Sequence, residues 1–323
     1  MVERDFFDAL AEPQAASAVE GVPVLDCQAC GAQLERPAEV TAEPCPYCGN
    51  AIVDDSRHVH RIRPQGLLPF RIDREAAGTA FEAWVRRLWF APSDVRHCAR
   101  QRDRLQGIYL PYWTYDAHAV TAYTGKRGED YWDTESYTTR ENGKTVTKTR
   151  RVRKTRWYSC RGVVGNRFDD LLVLASRNLP GKQARALEPW DLHQVEAYDT
   201  SYLSGFRAER YQVELDEGFR VAEELMQPDI RRSIERDIGG DRQRIHSSRT
   251  EYRQVTFKHL LLPVWMTAFR RGERVYRVLV NARTGEVQGE RPWSAMKITI
   301  AVLAVIAVAV GVYFLARGSA VSA

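Results

Sequence analysis

Two Cys-x-x-Cys pairs near the start of the sequence constrain the fold more than any other feature does. Cys27 and Cys30 form the first pair, and Cys45 and Cys48 form the second. Two thiolates separated by two residues can chelate one edge of a metal tetrahedron, and two such pairs complete a four-cysteine site. A glycine follows each pair, where it lets the backbone turn towards the sulfur atoms. The spacing predicts a zinc ribbon that binds one structural Zn²⁺ ion.

The cysteine pattern favours metal binding over disulfide or redox chemistry. The N-terminal segment is acidic and no long apolar stretch follows it, so we predict no secretory signal and reduced thiols in the cytoplasm. A redox dithiol is the alternative, but two matched pairs favour zinc. Cysteine would fill every position of the tetrahedron, which indicates a structural rather than a catalytic metal. Metal binding would then supply the folding energy of this small segment.

An uncharged apolar segment near the end of the sequence predicts a transmembrane helix. Residues 298–316 contain no charged side chain, and Lys297 and Arg317 bracket them. At 1.5 Å per residue this segment would span about 28 Å, close to the hydrocarbon core of a bilayer. Basic residues are more frequent before it than after it, which places the N-terminal side in the cytoplasm. The sequence therefore predicts a tail-anchored, single-pass protein of the cytoplasmic (inner) membrane.

Between the ribbon and the apolar segment, the sequence repeats itself in outline. The motif at Leu110–Trp113 (LPYW) is echoed by Leu262–Trp265 (LPVW), and a strand followed by a helix is indicated in each half, the first helix with Asp73 as its N-cap. This outline predicts an α+β fold with two helix-on-antiparallel-sheet units. The predicted segments are a flexible leader (1–22), the zinc ribbon (23–56), a first α+β unit (60–130), a basic β-hairpin insertion (131–160), a second α+β unit (161–292) and the transmembrane helix (297–317).

The predicted hairpin insertion has the most concentrated positive charge in the sequence. Asn142-Gly143 is a strong signal for a two-residue turn between two strands. The strand that follows is rich in β-forming residues and contains six basic side chains, Lys148, Arg150, Arg151, Arg153, Lys154 and Arg156. A basic ribbon of this kind could contact membrane lipid, an acidic protein partner or nucleic acid. The alternative is a solvated hairpin whose charges protect a sheet edge.

Motifs of several common catalytic sites are absent from the sequence. It contains no Gly-x-x-x-x-Gly-Lys-Ser/Thr phosphate loop, no Gly-x-Ser-x-Gly nucleophile elbow and no His-Glu-x-x-His helix. Trp113, Trp190 and Trp265 could line the cleft of an unrecognised enzyme, although burial in the core is the simpler interpretation. We therefore predict no catalytic residues and a protein that is not an enzyme.

Further motifs follow the two cysteine pairs in order along the chain: Leu68–Ile72, Trp89–Pro92, Tyr109–Tyr115, Glu188–Leu192, Tyr202–Arg207, Asp237–Asp241, Leu262–Trp265 and Glu286–Trp293. Together they resemble the bacterial membrane-anchored proteins with a transcription-factor-IIB-type zinc ribbon, which are often labelled as similar to the helicase primosomal protein N′. The resemblance implies that the four paired cysteines are metal ligands, and it supplies no catalytic residues. Helicase activity is rejected because the ATPase motifs are absent. Some members act with SPFH (stomatin/flotillin-type) or phage-shock-type proteins of envelope stress systems, which implies partners of those types.

These observations predict a non-enzymatic, tail-anchored adaptor that recruits SPFH-type or phage-shock-type partners to the cytoplasmic membrane face. In this hypothesis the ribbon is a docking element, and the basic hairpin contacts lipid or a partner. The alternative hypothesis is a membrane-tethered nucleic-acid-binding zinc-ribbon protein without helicase activity. That alternative predicts binding that falls steeply with salt concentration.

Overall fold

The computed structural model describes residues 3–11, 22–35, 45–50, 57–59, 62–88, 104–141, 144–271, 274–290, 296, 299 and 301–311. Three strands of unusual length organise these residues: β6 (Gln106–Glu141), β7 (Lys144–Leu174) and β10 (Arg242–Arg271). Their sequences alternate between two faces and are rich in Thr, Val, Tyr and Arg, residue types that fit a pleated surface. β7 lies antiparallel to β6 along one side, and β10 lies antiparallel to the other side of β6 as far as Gly128.

Shorter strands complete two sheets. The nine-stranded sheet also contains β1 (Arg4–Asp5), β5 (Gly66–Leu67), β8 (Glu196–Ala197), β9 (Arg207–Ala208), β11 (Arg274–Asn281) and β12 (Val287–Gly289). β5 and β9 pair in parallel with β10 and β6 respectively, so this sheet is mixed. A separate three-stranded sheet has the order β3 (Gln33–Glu35), β2 (Val22–Asp26) and β4 (Arg57–Val59).

The predicted fold class is wrong, because the two halves of the chain share one large sheet instead of forming two helix-on-sheet units. Leu262 of β10 lies opposite Leu110 of β6, and Pro263 lies opposite Tyr109. The two echoed motifs are therefore neighbours on adjacent antiparallel strands. Backbone hydrogen bonds between β6 and β10 join segments that the sequence pattern assigned to separate units. Residues of both halves, such as Leu110 and Leu262, consequently belong to one buried cluster.

Four helices pack on the large sheet or at its margins: α1 (Phe6–Ala11), α2 (Arg74–Arg86), α3 (Gly181–Arg185) and α4 (Leu215–Ile238). Short 3₁₀ turns lie at Leu192–Gln194 and Thr200–Leu203. The predicted N-cap of α2 is confirmed, because an Asp73 carboxylate oxygen accepts a hydrogen bond of 2.8 Å from the Ala76 N–H. Phe6 at the start of α1 is buried and packs against Tyr115 and Phe219.

Helix α4 covers one face of the sheet with an apolar stripe at helical spacing. Its buried side chains include Phe219, Ala222, Met226, Ile230 and Ile234. They pack with residues of β6 and β10 in one core cluster. The three tryptophans considered as a cleft lining, Trp113, Trp190 and Trp265, are all buried and belong to three different core clusters.

The predicted membrane topology is corrected by the structure. Among the described residues, no helix is both long and apolar enough to cross a membrane. Within the segment predicted as a transmembrane helix (297–317), the continuous described helix covers residues 301–311. The tail-anchored, inner-membrane assignment is therefore wrong. Apart from residue 299, the other residues of that segment lie outside the described part of the chain.

Candidate metal centre and binding arm

The two cysteine pairs form matching knuckles whose turns require glycine. In the first knuckle the Gly31 N–H donates to the Cys27 carbonyl over 2.7 Å, and in the second the Gly49 N–H donates to the Cys45 carbonyl over 2.7 Å. Gly31 and Gly49 have φ values of +73° and +76°, in the left-handed region that side chains disfavour. The Cys-x-x-Cys-Gly pattern thus folds locally into the same turn twice.

The knuckles bring four sulfur atoms together. The distance between Cys27 Sγ and Cys48 Sγ is 3.6 Å, and that between Cys30 Sγ and Cys45 Sγ is also 3.6 Å. All four ligand atoms lie within 4.8 Å of one another, and the cysteines are not joined by disulfides. Four sulfurs each about 2.3 Å from a tetrahedral zinc ion would lie about 3.8 Å apart. The cluster can therefore hold a metal ion of that size.

Burial makes two of these thiols, Cys30 and Cys45, reluctant to ionise by themselves. Removal from water raises the pKa of the Cys30 thiol to about 11 and raises that of Cys45 further. A bound cation is the ordinary partner that stabilises a group of buried thiolates. Since Cys27 and Cys45 belong to the same buried cluster as Leu110 and Leu262, the metal centre lies against the core of the large sheet.

Tyr47, which lies between the cysteines of the second knuckle, anchors that knuckle to the body of the protein. Its side chain is fully buried, and its hydroxyl donates a short hydrogen bond to the Glu209 carboxylate. Glu209 also accepts hydrogen bonds from Ser176 Oγ (2.7 Å) and Asn178 Nδ2 (2.6 Å). Burial raises the pKa of Glu209 to about 7 and raises that of Tyr47. The sequence analysis missed both residues.

Other contacts join the ribbon to the large sheet. Arg277 Nε donates to the Tyr47 carbonyl over 3.0 Å, and Gln212 Nε2 donates to the Gly31 carbonyl over 3.2 Å. Leu34 of β3 is buried and forms an isolated antiparallel bridge with Glu209. These contacts attach both knuckles to segments far away in sequence, so the ribbon is an integral part of the folded core.

The predicted basic hairpin is the outer part of the much longer hairpin formed by β6 and β7. β10 accompanies β6 only as far as Gly128, and beyond it β6 and β7 continue as a two-stranded ribbon that we call the arm (residues 129–141 and 144–156). Glu141 pairs with Lys144, and the turn predicted at Asn142-Gly143 lies outside the described residues. At about 3.3 Å per residue the arm extends about 40 Å. None of its described residues is buried.

The strand register divides the six predicted basic residues between the two faces of the arm. Lys148 faces Tyr137, Arg150 faces Glu135, and Lys154 faces Tyr131. Because directly opposed residues share a face, these side chains and Arg156 lie on one side, which we call the tyrosine face. Arg151 and Arg153 point to the other side, together with Trp132.

Acidic and aromatic side chains of the arm contact several of these basic residues. Lys154 lies 2.8 Å from Asp133 and 3.0 Å from Glu135, and hydrogen bonds to these carboxylates raise its pKa. The Arg150 guanidinium lies 5.6 Å from the Tyr137 ring centroid, a cation–π distance. The arm therefore presents alternating rings and ion pairs rather than a uniform basic stripe.

Comparisons with known proteins identified a relative of this chain but assigned the chain to no family. No family model matches the chain, and no solved structure matches it. The chain is similar to a protein of Bacillus subtilis (strain 168) that is described as uncharacterized protein YdjG. The two are 26% identical over 255 residues, which cover 77% of this chain and 70% of the relative. The resemblance to the membrane-anchored zinc-ribbon family accordingly stays a prediction.

Proposed function

We propose that the protein is a non-enzymatic scaffold in which one structural Zn²⁺ ion holds the ribbon on the large sheet and the arm binds a partner protein. The observation that carries this proposal is the arm itself. It projects from the sheet, no element of the described part of the chain covers it, and it exposes tyrosine, tryptophan and arginine side chains. These residue types are enriched at protein–protein interfaces and among their energetic hot spots.

Zinc is the metal that suits the site best. Four thiolates at tetrahedral spacing are typical of structural zinc, and they leave no position for water or substrate. The buried Cys27, Cys45 and Tyr47 tie this site to the core, so its role is to stabilise the fold. In this proposal the ribbon stabilises the fold, in place of the docking role that the sequence hypothesis gave it.

The arm suits a binding role better than a structural one. A two-stranded ribbon is marginally stable in water, and this one contributes no buried residue to the protein. Its tyrosine face offers Tyr131 and Tyr137 beside the ion pairs of Lys154 and Arg150, so a partner could cover these rings without leaving those two charges unpaired. We propose a protein of SPFH or phage-shock type as the partner, following the sequence resemblance.

The test is to purify the tagged full-length chain from its native cells and identify bound proteins by mass spectrometry. We expect an SPFH-type or phage-shock-type protein in stoichiometric amounts with the wild-type chain, and its loss in the double variant Tyr131→Ser, Tyr137→Ser. The matched control is Thr134→Ser, Thr138→Ser, because these positions lie on the opposite face of the arm. Equal recovery of the partner with both variants would refute the arm as its binding site.

Metal analysis tests the zinc centre separately. We expect one zinc per wild-type chain by elemental mass spectrometry, and no zinc in the variant Cys27→Ser, Cys30→Ser. Zinc at the wild-type level in that variant would contradict the four-cysteine site.

A further inference from the structure

One face of the three-stranded region formed by β6, β7 and β10 has no covering element among the described residues. Helix α4 packs on the opposite face, where alternate residues of β6 such as Ala117, Ala119 and Tyr123 are buried. The residues between them point away from α4, and His118, Ala122 and Thr124 are exposed. We call the side without a helix the open face. It continues outward onto the arm, on the side of Trp132.

The open face is strongly basic. Between residues 151 and 167, β7 contributes four arginines to it, Arg151, Arg153, Arg161 and Arg167. The register of β10 adds Arg242, Arg244, Arg249 and Arg253, and β6 adds Lys126. Asp130 and Glu251 are the acidic residues on the same stretch of these strands. This side therefore has a larger positive charge than the whole chain, whose net charge is +5.

Both acidic residues already have arginine partners. The Asp130 carboxylate lies 2.5 Å from Arg153 and 3.1 Å from Arg242, and a hydrogen bond from Thr155 and these arginines lower its pKa. Glu251 binds Arg253 through two bonds of 3.0 Å. No ion pair between described residues involves Lys126, Arg161, Arg167 or Arg249. Lys126, Arg161 and Arg167 can therefore accept an anionic ligand without breaking an existing pair, and Arg249 interacts with Glu251 only at longer range.

Two tryptophans lie among the cations of the open face. Trp132 has 61% of its surface exposed, and the Arg151 guanidinium lies 5.3 Å from its ring centroid. The Arg244 guanidinium lies 4.1 Å from the ring centroid of Trp157. Unpaired bases stack on planar rings and guanidinium groups that a sheet exposes.

We propose that the open face binds single-stranded nucleic acid. The arginines that β7 contributes to the open face extend from Arg151 to Arg167, a distance of about 50 Å. The open face therefore matches an extended polyanion rather than a small phosphate compound. A single strand satisfies both features of the face, because its phosphates pair with the cations while its bases stack on Trp132. In a duplex the bases are stacked inside and cannot reach the tryptophans, and the acidic side chains of a polypeptide, Asp and Glu, have no ring that could stack on them.

This inference goes beyond the proposed scaffold function and uses a different surface. The protein partner was assigned to the tyrosine face, whereas the nucleic acid would lie on the side that includes Trp132, Arg161 and Arg249. Loss of one ligand should leave the other bound, so the two proposals can fail independently.

The experiment measures binding of the purified full-length chain to a fluorescent oligothymidylate of about 16 nucleotides, the upper end of common single-strand site sizes. Anisotropy is recorded over a range of NaCl concentrations. The test variant replaces Arg161, Arg167 and Arg249 with Gln. The control variant replaces Arg220, Arg231 and Arg232 of α4 with Gln, which changes the net charge equally on exposed helix positions. Circular dichroism and zinc content confirm that both variants are folded.

We expect affinity to fall with salt and to fall at least about tenfold in the open-face variant, with little change in the helix variant. The slope of log K against log salt concentration is negative, and each lost phosphate contact should reduce its magnitude by about 0.7. The slope of the triple variant should therefore be smaller in magnitude by about 2. Trp132→Leu should weaken binding about tenfold, since stacking energy is lost without a change of charge.

Four results would overturn the proposal. They are no binding by the wild-type chain, equal loss in the two triple variants, tighter binding to a duplex of the same length, and competition by polyglutamate as effective as that by unlabelled oligonucleotide. The last result would assign the face to an acidic protein instead.

Discussion

Tyr47 of the second knuckle donates its hydroxyl hydrogen to Glu209, a residue 162 positions later in the chain, and both side chains are buried. The tyrosine comes from the metal-binding turn and the carboxylate from a segment beside β9, which pairs with β6. This contact links the candidate metal centre to the large sheet. The ribbon and the sheet should therefore unfold together.

Substitution Tyr47→Phe tests this link with the smallest possible change. It removes the hydroxyl and leaves a buried carboxyl oxygen without that donor, so we expect the free energy of unfolding to fall by about 1–3 kcal/mol. Urea denaturation followed by tryptophan fluorescence measures the change. Tyr158→Phe is the control, because that tyrosine is exposed and should be neutral. An unchanged midpoint for Tyr47→Phe would show that the contact contributes nothing to stability.

Loss of the metal should destabilise the whole described body rather than the ribbon alone. The variant Cys45→Ser should lose its zinc and unfold at a much lower temperature, because structural zinc supplies binding energy comparable to the total stability of a domain, about 5–15 kcal/mol. Calorimetry with parallel metal analysis measures both effects. Cys160→Ser, at a partly buried position outside the cluster, should keep its zinc and lose far less thermal stability. A variant without zinc that melts like the wild type would argue against a structural metal.

Acid should destabilise the protein partly through His259. The ring is buried against Trp113, and its Nδ1 lies 3.0 Å from the Ile62 carbonyl. Burial lowers the pKa of His259 from 6.5 to about 4. Between those two pH values the unfolded chain binds a proton that the folded protein does not bind, so stability falls as the pH falls. The loss through this one group approaches about 3 kcal/mol near pH 4.

The corresponding measurement is the free energy of unfolding at several pH values between 7 and 4. His259→Asn should reduce the slope in this range, whereas His118→Asn, at an exposed position, should leave it unchanged. Protonation of the cysteines is common to all three proteins and cancels in the comparison. Identical slopes for wild type and His259→Asn would contradict the prediction.

Glycine is required where helix α4 crosses the sheet. A Cβ at Gly218 would lie 2.4 Å from Tyr115 Oη and 2.8 Å from Trp113 Cδ1. Both rings are fixed, since the Trp113 indole N–H donates to the Val213 carbonyl and the Tyr115 hydroxyl donates to the Leu215 carbonyl. Gly218→Ala should therefore cost about 1–3 kcal/mol by overpacking, although alanine favours helix by about 1 kcal/mol.

Thermal denaturation measures this effect. Gly181→Ala provides the control, because nothing lies within 4 Å of the added methyl group. A more stable Gly218→Ala variant would mean that α4 shifts easily on the sheet, and that outcome would contradict the packing described above.

The sequence alone determined the features that depend on short chain separations. The Cys-x-x-Cys-Gly knuckles form within six residues, and Asp73 caps α2 within three residues. In each case the geometry follows from the residues' own spacing and backbone preferences.

The tertiary structure alone decided which distant segments meet. It placed β10 beside β6, which turned two expected units into one sheet, and it buried Tyr47 against Glu209. It also divided the basic residues between the two faces of the sheet. Successive residues of a strand point to opposite faces, and the register between strands decides which cations of neighbouring strands lie side by side. Such contacts depend on the packing free energy of the whole core, which no local stretch of sequence contains.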